Sequence, residues 1–196
     1  MNCFLSYFRI IKKIPRFFNR IEWLFHRKYL KKIGENSHVS PGFSLTGHKY
    51  ISIGDNFSAG ENLKIHTFDN NNNTEQLIEP QVWIGNDVVI TDNCYISCAG
   101  KITIGDGVLF GSNVFITDNF HGKGISEELG IPPCKRDVFY KGKVEIGNNV
   151  WIGRNVCIMP NVSIGDGVII GANAVVTHNI PAYCVVGGVP AEIIRK

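Results

Sequence analysis

Of the six histidines in the chain, His121 has the setting best suited to chemistry. It lies five residues after Ile116, at the root of the 26-residue stretch Asp118 to Lys143, which interrupts an otherwise regular repeat. A neutral imidazole accepts a proton near physiological pH, so a histidine on a loop carried by a rigid scaffold can act as general base toward a weakly acidic hydroxyl. A solvated or structural role is the competing reading of an isolated loop histidine. Asp118, three residues earlier, could fix the tautomer of His121 or meet a substrate, or it could be a solvated turn residue. Asn93, one coil back in the repeat, is a candidate contact for the same substrate. The cysteines, Cys3, Cys94, Cys98, Cys134, Cys157 and Cys184, contain no CxxC pair and read as reduced, buried thiols.

The scaffold that must position these residues is written in sixes. From Ile146 the aliphatic residues Ile146, Ile152, Ile158, Ile164, Ile170 and Val176 recur without a break, each followed four places on by Val150, Val156, Val162, Val168 or Ala174. A helix repeats near 3.6 residues and a two-faced strand at 2, so a period of six belongs to a short strand plus a turn. Gly147, Gly153, Gly165 and Gly171 follow the aliphatic residue, where the chain is expected to round a corner. Three sides close a coil of 18 residues, which stacks Ile146 on Ile164, Ile152 on Ile170 and Ile158 on Val176 in a parallel β-solenoid. Earlier coils are expected at Ile33, Val39 and Leu45, at Ile53, Ala59 and Ile65, at Ile84, Ile90, Ile96 and Ile102, and at Ile104, Phe110 and Ile116. Two-residue slips separate the first set from the second and Ile102 from Ile104, each expected at a corner. The segment Phe68 to Gln76 reads as a polar loop leaving a corner, and residues 118–143 as a packed arm.

Composition adds a division of charge. Of 196 residues 44% are hydrophobic and 19% charged, the size and balance of one domain with a continuous core. Residues 1–32 hold nine Lys and Arg against one Glu, a charge of +8, whereas residues 33–196 hold 11 against 16, a charge of −5. Phe4, Phe8, Ile11, Ile14, Phe18, Ile21 and Phe25 recur every three or four residues, giving a basic amphipathic helix, or two broken near Pro15. Its apolar face is expected to cap the open end of the solenoid or to rest on an anionic membrane surface. With no run of 18 apolar residues and no cleavable secretory signal, the expectation is a cytoplasmic protein, peripheral at the inner face of the membrane, without a nucleic-acid partner.

The segments "ITIGDGVLFGSNVFITDNFHG" (102–122) and "VEIGNNVWIGRNVCIMPNVSIGDGVIIGANAVVTHNIPAYCVVGGVPAEIIRK" (144–196) resemble the hexapeptide-repeat acetyltransferases, the branch of galactoside, maltose and polysaccharide O-acetyltransferases and xenobiotic acetyltransferases. The resemblance covers roughly residues 33 to 196. It implies an all-β, left-handed parallel β-helix and a homotrimer with active sites between subunits. It implies direct acetyl transfer from acetyl-CoA to a sugar hydroxyl of a cell-surface polysaccharide or its precursor, with His121 as general base and no metal. Many members read Asp-His-x-His-Gly where this chain reads Asp118-Asn119-Phe120-His121-Gly122. The resemblance further implies that Trp151 packs on the pantetheine arm, that Arg154 and Ala172 lie on the coenzyme strip, and that Thr177, His178 and Arg195 approach its phosphates. The zinc site of gamma-class carbonic anhydrase, which shares the fold, needs histidines where this chain has Ile116 and Ser126. Transfer to an antibiotic or to an amino sugar is the alternative within enzymes, and a non-catalytic binding solenoid the alternative outside them.

Overall fold

The computed structural model describes residues 18–69 and 78–196. Three parallel sheets form the sides of a prism. The first contains Lys32–Ile33, Ile51–Ile53, Gln81–Ile84, Lys101–Ile104, Val144–Ile146 and Val162–Ile164. The second contains His38–Val39, Ser58–Ala59, Val89–Ile90, Leu109–Phe110, Trp151–Ile152, Ile169–Ile170 and Val185–Gly187, closed by the antiparallel strand Glu192–Arg195. The third contains Ser44–Thr46, Lys64–Thr67, Tyr95–Cys98, Phe115–Thr117, Cys157–Ile158 and Val175–Val176.

The stacking read from the hexads is the observed register. Ile146 pairs with Ile164, Ile152 with Ile170 and Ile158 with Val176. Upstream, Ile33, Ile53, Ile84, Ile104 and Ile146 form one continuous ladder. Ile84, Ile104, Ile116, Ile152 and Ile158 have no measurable exposure, and each fully buried aliphatic side chain contributes roughly 1.5–3 kcal/mol. The first slip falls where the chain passes from the third sheet to the first, at 47–50, whereas the second lies inside the strand Lys101–Ile104 and not at a corner, because Ile102 and Ile104 both face the core. The connection at 68–80 and the arm 118–143 leave from the same corner.

The glycines after the ladder residues serve close stacking instead of an unusual backbone angle. A Cβ on Gly147 would lie 2.4 Å from Asp166 Oδ1, on Gly153 2.7 Å from Ala172 N, and on Gly165 2.4 Å from Ala182 N. The left-handed corner positions are held mainly by asparagines, among them Asn36, Asn56, Asn62, Asn93, Asn113, Asn155 and Asn173 with φ of 53–64°. Asparagine is the non-glycine residue that tolerates this region best. Stacked corner asparagines bond one another: Asn62 Nδ2 donates to Asn93 Oδ1 and Asn155 Nδ2 to Asn173 Oδ1, both at 2.9 Å.

A helix over 18–26 closes the first coil. Its inward face differs from the expected one: Phe18, Ile21 and Phe25 are 63%, 49% and 57% exposed, whereas Trp23 is buried. Trp23 packs edge-on against Phe43 and donates from Nε1 to Ser37 O at 3.3 Å, and Asn19 Nδ2 donates to Val39 O at 2.7 Å. The preceding positions Phe4, Phe8, Ile11, Ile14 and Pro15, and Cys3, lie outside the described residues, as does most of the polar loop. Cys94, Cys98 and Cys184 are buried as expected, Cys157 is half-buried, and Cys134 is exposed on the arm.

Candidate active site

The site begins where the fourth coil stops being a coil. After Phe115–Thr117 the chain leaves the parallel ladder, and Thr117 Oγ1 both donates to Asn119 O at 2.9 Å and accepts from Asn119 N at 3.2 Å, fastening the bend. Asn119–His121 then pairs antiparallel with Val138–Tyr140, setting Asn119 opposite Tyr140, Phe120 opposite Phe139 and His121 opposite Val138. Alternation along the strand puts His121 on the same face as Asn119 and Phe120 on the other. Asn119 is buried and His121 exposed, so the hairpin carries the imidazole clear of the prism while its root stays fixed. No described residue hydrogen-bonds the imidazole.

Asp118 has a different task from each of the three expected of it. It has no exposure; Oδ1 accepts from Ala99 N (2.7 Å) and Asn119 Nδ2 (2.9 Å), and Oδ2 from Gly100 N (2.9 Å) and Cys98 Sγ (3.4 Å). Its carboxylate is thus committed to the third coil's corner and to its own neighbour, not to His121. A buried carboxylate is tolerable only with such a set of donors. Its own carbonyl accepts from Lys141 N at 2.8 Å, which ties the returning strand of the arm to the same corner. Burial first, then the negative charge of Asp118, pushes the Cys98 thiol far above its ordinary value. The same two causes, in the same order, raise the Tyr140 phenol. Tyr140 fills the space over Gly100, where a Cβ would lie 2.3 Å from the ring.

On the opposite face of the hairpin, Lys123 and Lys141 place their ammonium groups 5.7 and 5.1 Å from the centre of the Phe139 ring. Glu128 Oε2 accepts from the main-chain N–H groups of Lys123 and Gly124, which closes the turn beyond His121. The lysines and the two paired phenylalanines, Phe120 and Phe139, were not among the residues singled out in the sequence. Their signal was the aromatic and basic content of the arm.

The remaining candidates are distributed around the prism. Trp151 is 53% exposed on the second sheet, between Leu109 and Ile169 in register, with Val89 beyond Leu109: an outward apolar row one residue before each ladder position. Arg154 and Ala172 are exposed and stacked at the corner between the second and third sheets, the corner that Asn93 also occupies. Asn93 is separated from the Asp118 corner by the strand Tyr95–Cys98, roughly 16 Å at ~3.3 Å per residue. Thr177 and His178 lie at the third corner, two coils beyond the root of the arm, with Thr177 Oγ1 and His178 Nδ1 2.8 Å apart. Arg195 pairs opposite Val185 in the closing strand. One chain therefore brings Thr177 and His178 to the edge that bears His121, and leaves Trp151, Arg154, Ala172 and Asn93 on other sides.

Comparison with known proteins gives this geometry its relatives. Residues 143–178 match the family described as bacterial transferase hexapeptide (six repeats). The chain is 36% identical over 150 residues to the putative lipopolysaccharide biosynthesis O-acetyl transferase WbbJ of Escherichia coli, covering 74% of this chain and 71% of that protein. A galactoside acetyltransferase solved in complex with coenzyme A superposes with a TM-score of 0.56 at 30% identity, over 87% of this chain and 67% of the other. An N-acyltransferase of Bacillus cereus, solved with a dTDP-amino sugar and coenzyme A, shares the fold at a TM-score of 0.72 and 24% identity, over 89% of this chain and 88% of that one. The parallel prism is accordingly the left-handed β-helix expected from the repeat. The chain belongs to the bacterial hexapeptide-repeat transferase family.

Proposed function

We propose that this protein transfers the acetyl group of acetyl-CoA to a hydroxyl of a sugar, in a cell-surface polysaccharide or its precursor, with His121 as the general base. The observation that carries the reading is the exposed imidazole on a hairpin whose root is locked by Asp118 and Asn119. As the sugar oxygen attacks the thioester carbonyl carbon, His121 takes the hydroxyl proton. The tetrahedral oxyanion then collapses, the C–S bond breaks, and the imidazolium returns a proton to the departing thiolate. The thioester is already activated, so no acyl-enzyme is required. The row Val89, Leu109, Trp151 and Ile169 offers an apolar bed for the pantetheine arm, and Arg154, Ala172, Thr177, His178 and Arg195 a polar and basic margin for the nucleotide.

Because His121 and the Trp151 row lie on different sides of one prism, the complete site is assigned to the seam between chains of a homotrimer, with Asn93 as a contact for the acceptor. The +8 segment 1–32 is assigned a peripheral contact with anionic lipid at the cytoplasmic face of the membrane. The fold shared with the dTDP-amino-sugar N-acyltransferase supports a second reading, transfer to the amino group of an amino sugar. Release of free thiol from acetyl-CoA in the presence of a panel of sugars, glycans, amino sugars and antibiotics tests the proposal. Turnover with a hydroxyl acceptor supports it, turnover with amines alone selects the second reading, and no acetyl-CoA binding by calorimetry defeats both.

A further inference from the structure

The helix over 18–26 carries a band of apolar side chains that the reaction above does not use. At 3.6 residues per turn, Phe18, Ile21, Leu24 and Phe25 fall within an arc of about 120°, and Trp23 lies on the opposite side. All four are exposed, Leu24 by 44%. Tyr29, 56% exposed in the turn that follows, extends the band, its ring 5.0 Å from that of Phe25. Single apolar residues are ordinary on a surface, but five large ones side by side on one element mark a contact. Trp23 packs on Phe43 in the first coil, whose Val39 and Leu45 begin two of the core ladders. The helix therefore lies across the end of the prism, and its exposed band looks away from the coils.

Charge says what the band meets. Around it, residues 18–32 carry Arg20, Arg27, Lys28, Lys31 and Lys32 against Glu22 alone. A second copy of this end would set the cationic rim against itself, and residues 1–17 would add Arg9, Lys12, Lys13 and Arg16 with no acid. An anionic bilayer answers both features at once, with acyl chains for the apolar residues and headgroup phosphates for the cations. In the trimer proposed above, prisms side by side about one axis would present three such bands on one face.

We infer that this band docks on an anionic phospholipid bilayer, so that the prism stands on its first-coil end. The inference rests on the peripheral contact assigned to residues 1–32 and adds to it the face that makes the contact and the posture that follows. The hairpin of His121 springs from Phe115–Thr117, the fourth strand of the third sheet counted from Ser44–Thr46. With ~4.8 Å per strand and ~10 Å for the helix, less ~5 Å of insertion, its root stands roughly 20 Å above the lipid. That height is within reach of a glycan anchored in the same bilayer.

The test is sedimentation of the full chain with vesicles of phosphatidylcholine with or without phosphatidylglycerol. Binding is expected only with phosphatidylglycerol. Ile21→Ser combined with Phe25→Ser should weaken it about tenfold with the thermal midpoint and coenzyme A binding unchanged, because both side chains are already exposed. Leu129→Ser with Ile131→Ser, a comparable apolar loss on the arm, should retain it. Posture is read from tryptophan quenching by brominated phosphatidylcholine in the same vesicles. Phe25→Trp should be quenched strongly. The wild type should be quenched little, since Trp23 faces the coils and Trp83 and Trp151 lie on the sides of the prism. Phosphatidylglycerol-dependent binding that the serine pair leaves at wild-type strength keeps the peripheral contact and overturns the inference. Quenching of the wild type as strong as that of Phe25→Trp overturns it too, because a side of the prism then meets the lipid. No vesicle binding by the wild type overturns both the inference and the contact it rests on.

Discussion

His121 can act as a base only if its reach is fixed, and the residues before it fix it. Asp118 gathers the N–H groups of Ala99 and Gly100 and the side chains of Asn119 and Cys98, so the strand that ends in the imidazole starts from an immobile corner. His121→Ala is expected to lower kcat by ~10²–10⁴-fold while acetyl-CoA still binds in calorimetry, since the side chain is exposed. Asp118→Asn should act differently. An amide in that place turns one acceptor into a donor facing donors, so unfolding should become easier by on the order of 1–3 kcal/mol, read from denaturant midpoints, with turnover reduced as well. Unchanged stability in that variant contradicts the clamp. His121 was visible in the sequence through the resemblance of "NVFITDNFHG"; the clamp was not, because its donors come from a corner about one coil earlier and a main-chain N–H has no signature in a sequence.

At the scale of elements, the ladders were legible because burial repeats every six residues and no other element has that period; Ile146 over Ile164 follows from it directly. The corner asparagines were passed over in favour of the glycines, although they are what takes the left-handed backbone angle. The helix over 18–26 was legible as an element, but its facing was not. A wheel that groups Phe18, Ile21 and Phe25 also permits Asn19 and Trp23 to face inward, and packing on Phe43 and Val39 selects the second face. A histidine pair fastens this helix. His26 Nδ1 and His48 Nε2 are 2.7 Å apart with the rings stacked at 4.9 Å, and burial, then the charge of His26, lowers the affinity of His48 for a proton. Tyr29 and Lys49 are the other titratable groups beside the pair. A folded state that binds the proton less readily than the unfolded chain is stable above the ordinary value of 6.5 and loses stability as the pH falls below it. The thermal midpoint of the wild type should therefore fall from pH 7.5 to pH 5.5, by more than that of His48→Asn. Equal falls in the two proteins, or a rise in the wild type, would remove the histidine pair as the cause.

At the scale of the whole molecule, the connection at 68–80 and the arm 118–143 both leave from the corner between the third and first sheets, whereas the described residues at the other corners connect their strands in a few residues. A smooth second sheet with the apolar row Val89, Leu109, Trp151 and Ile169 has no cleft of its own, and an arm on another edge has no bed for a coenzyme. In the proposed trimer two copies side by side would supply both, and closed three-fold symmetry would repeat the seam without an unpaired edge. Deleting residues 1–17 should leave that assembly intact while weakening sedimentation with anionic vesicles at low salt, because the segment carries four of the nine cationic residues in 1–32. Loss of the trimer in that variant would place the segment in the interface instead. The outward positions that the proposed seam would use are not legible residue by residue, since a period of six says which positions face the core and leaves the outward ones undecided. The most direct measurement refolds inactive His121→Ala together with a chain carrying Trp151→Ala and Arg195→Ala, and assays acetyl transfer in the mixed trimers. In random mixing each seam pairs an intact His121 with an intact neighbouring strip about one time in four, so recovery to about a quarter of wild-type activity is expected. Activity no higher than that of the separate parents in verified mixed trimers, or full activity of a wild-type monomer in sedimentation, contradicts a site shared between chains.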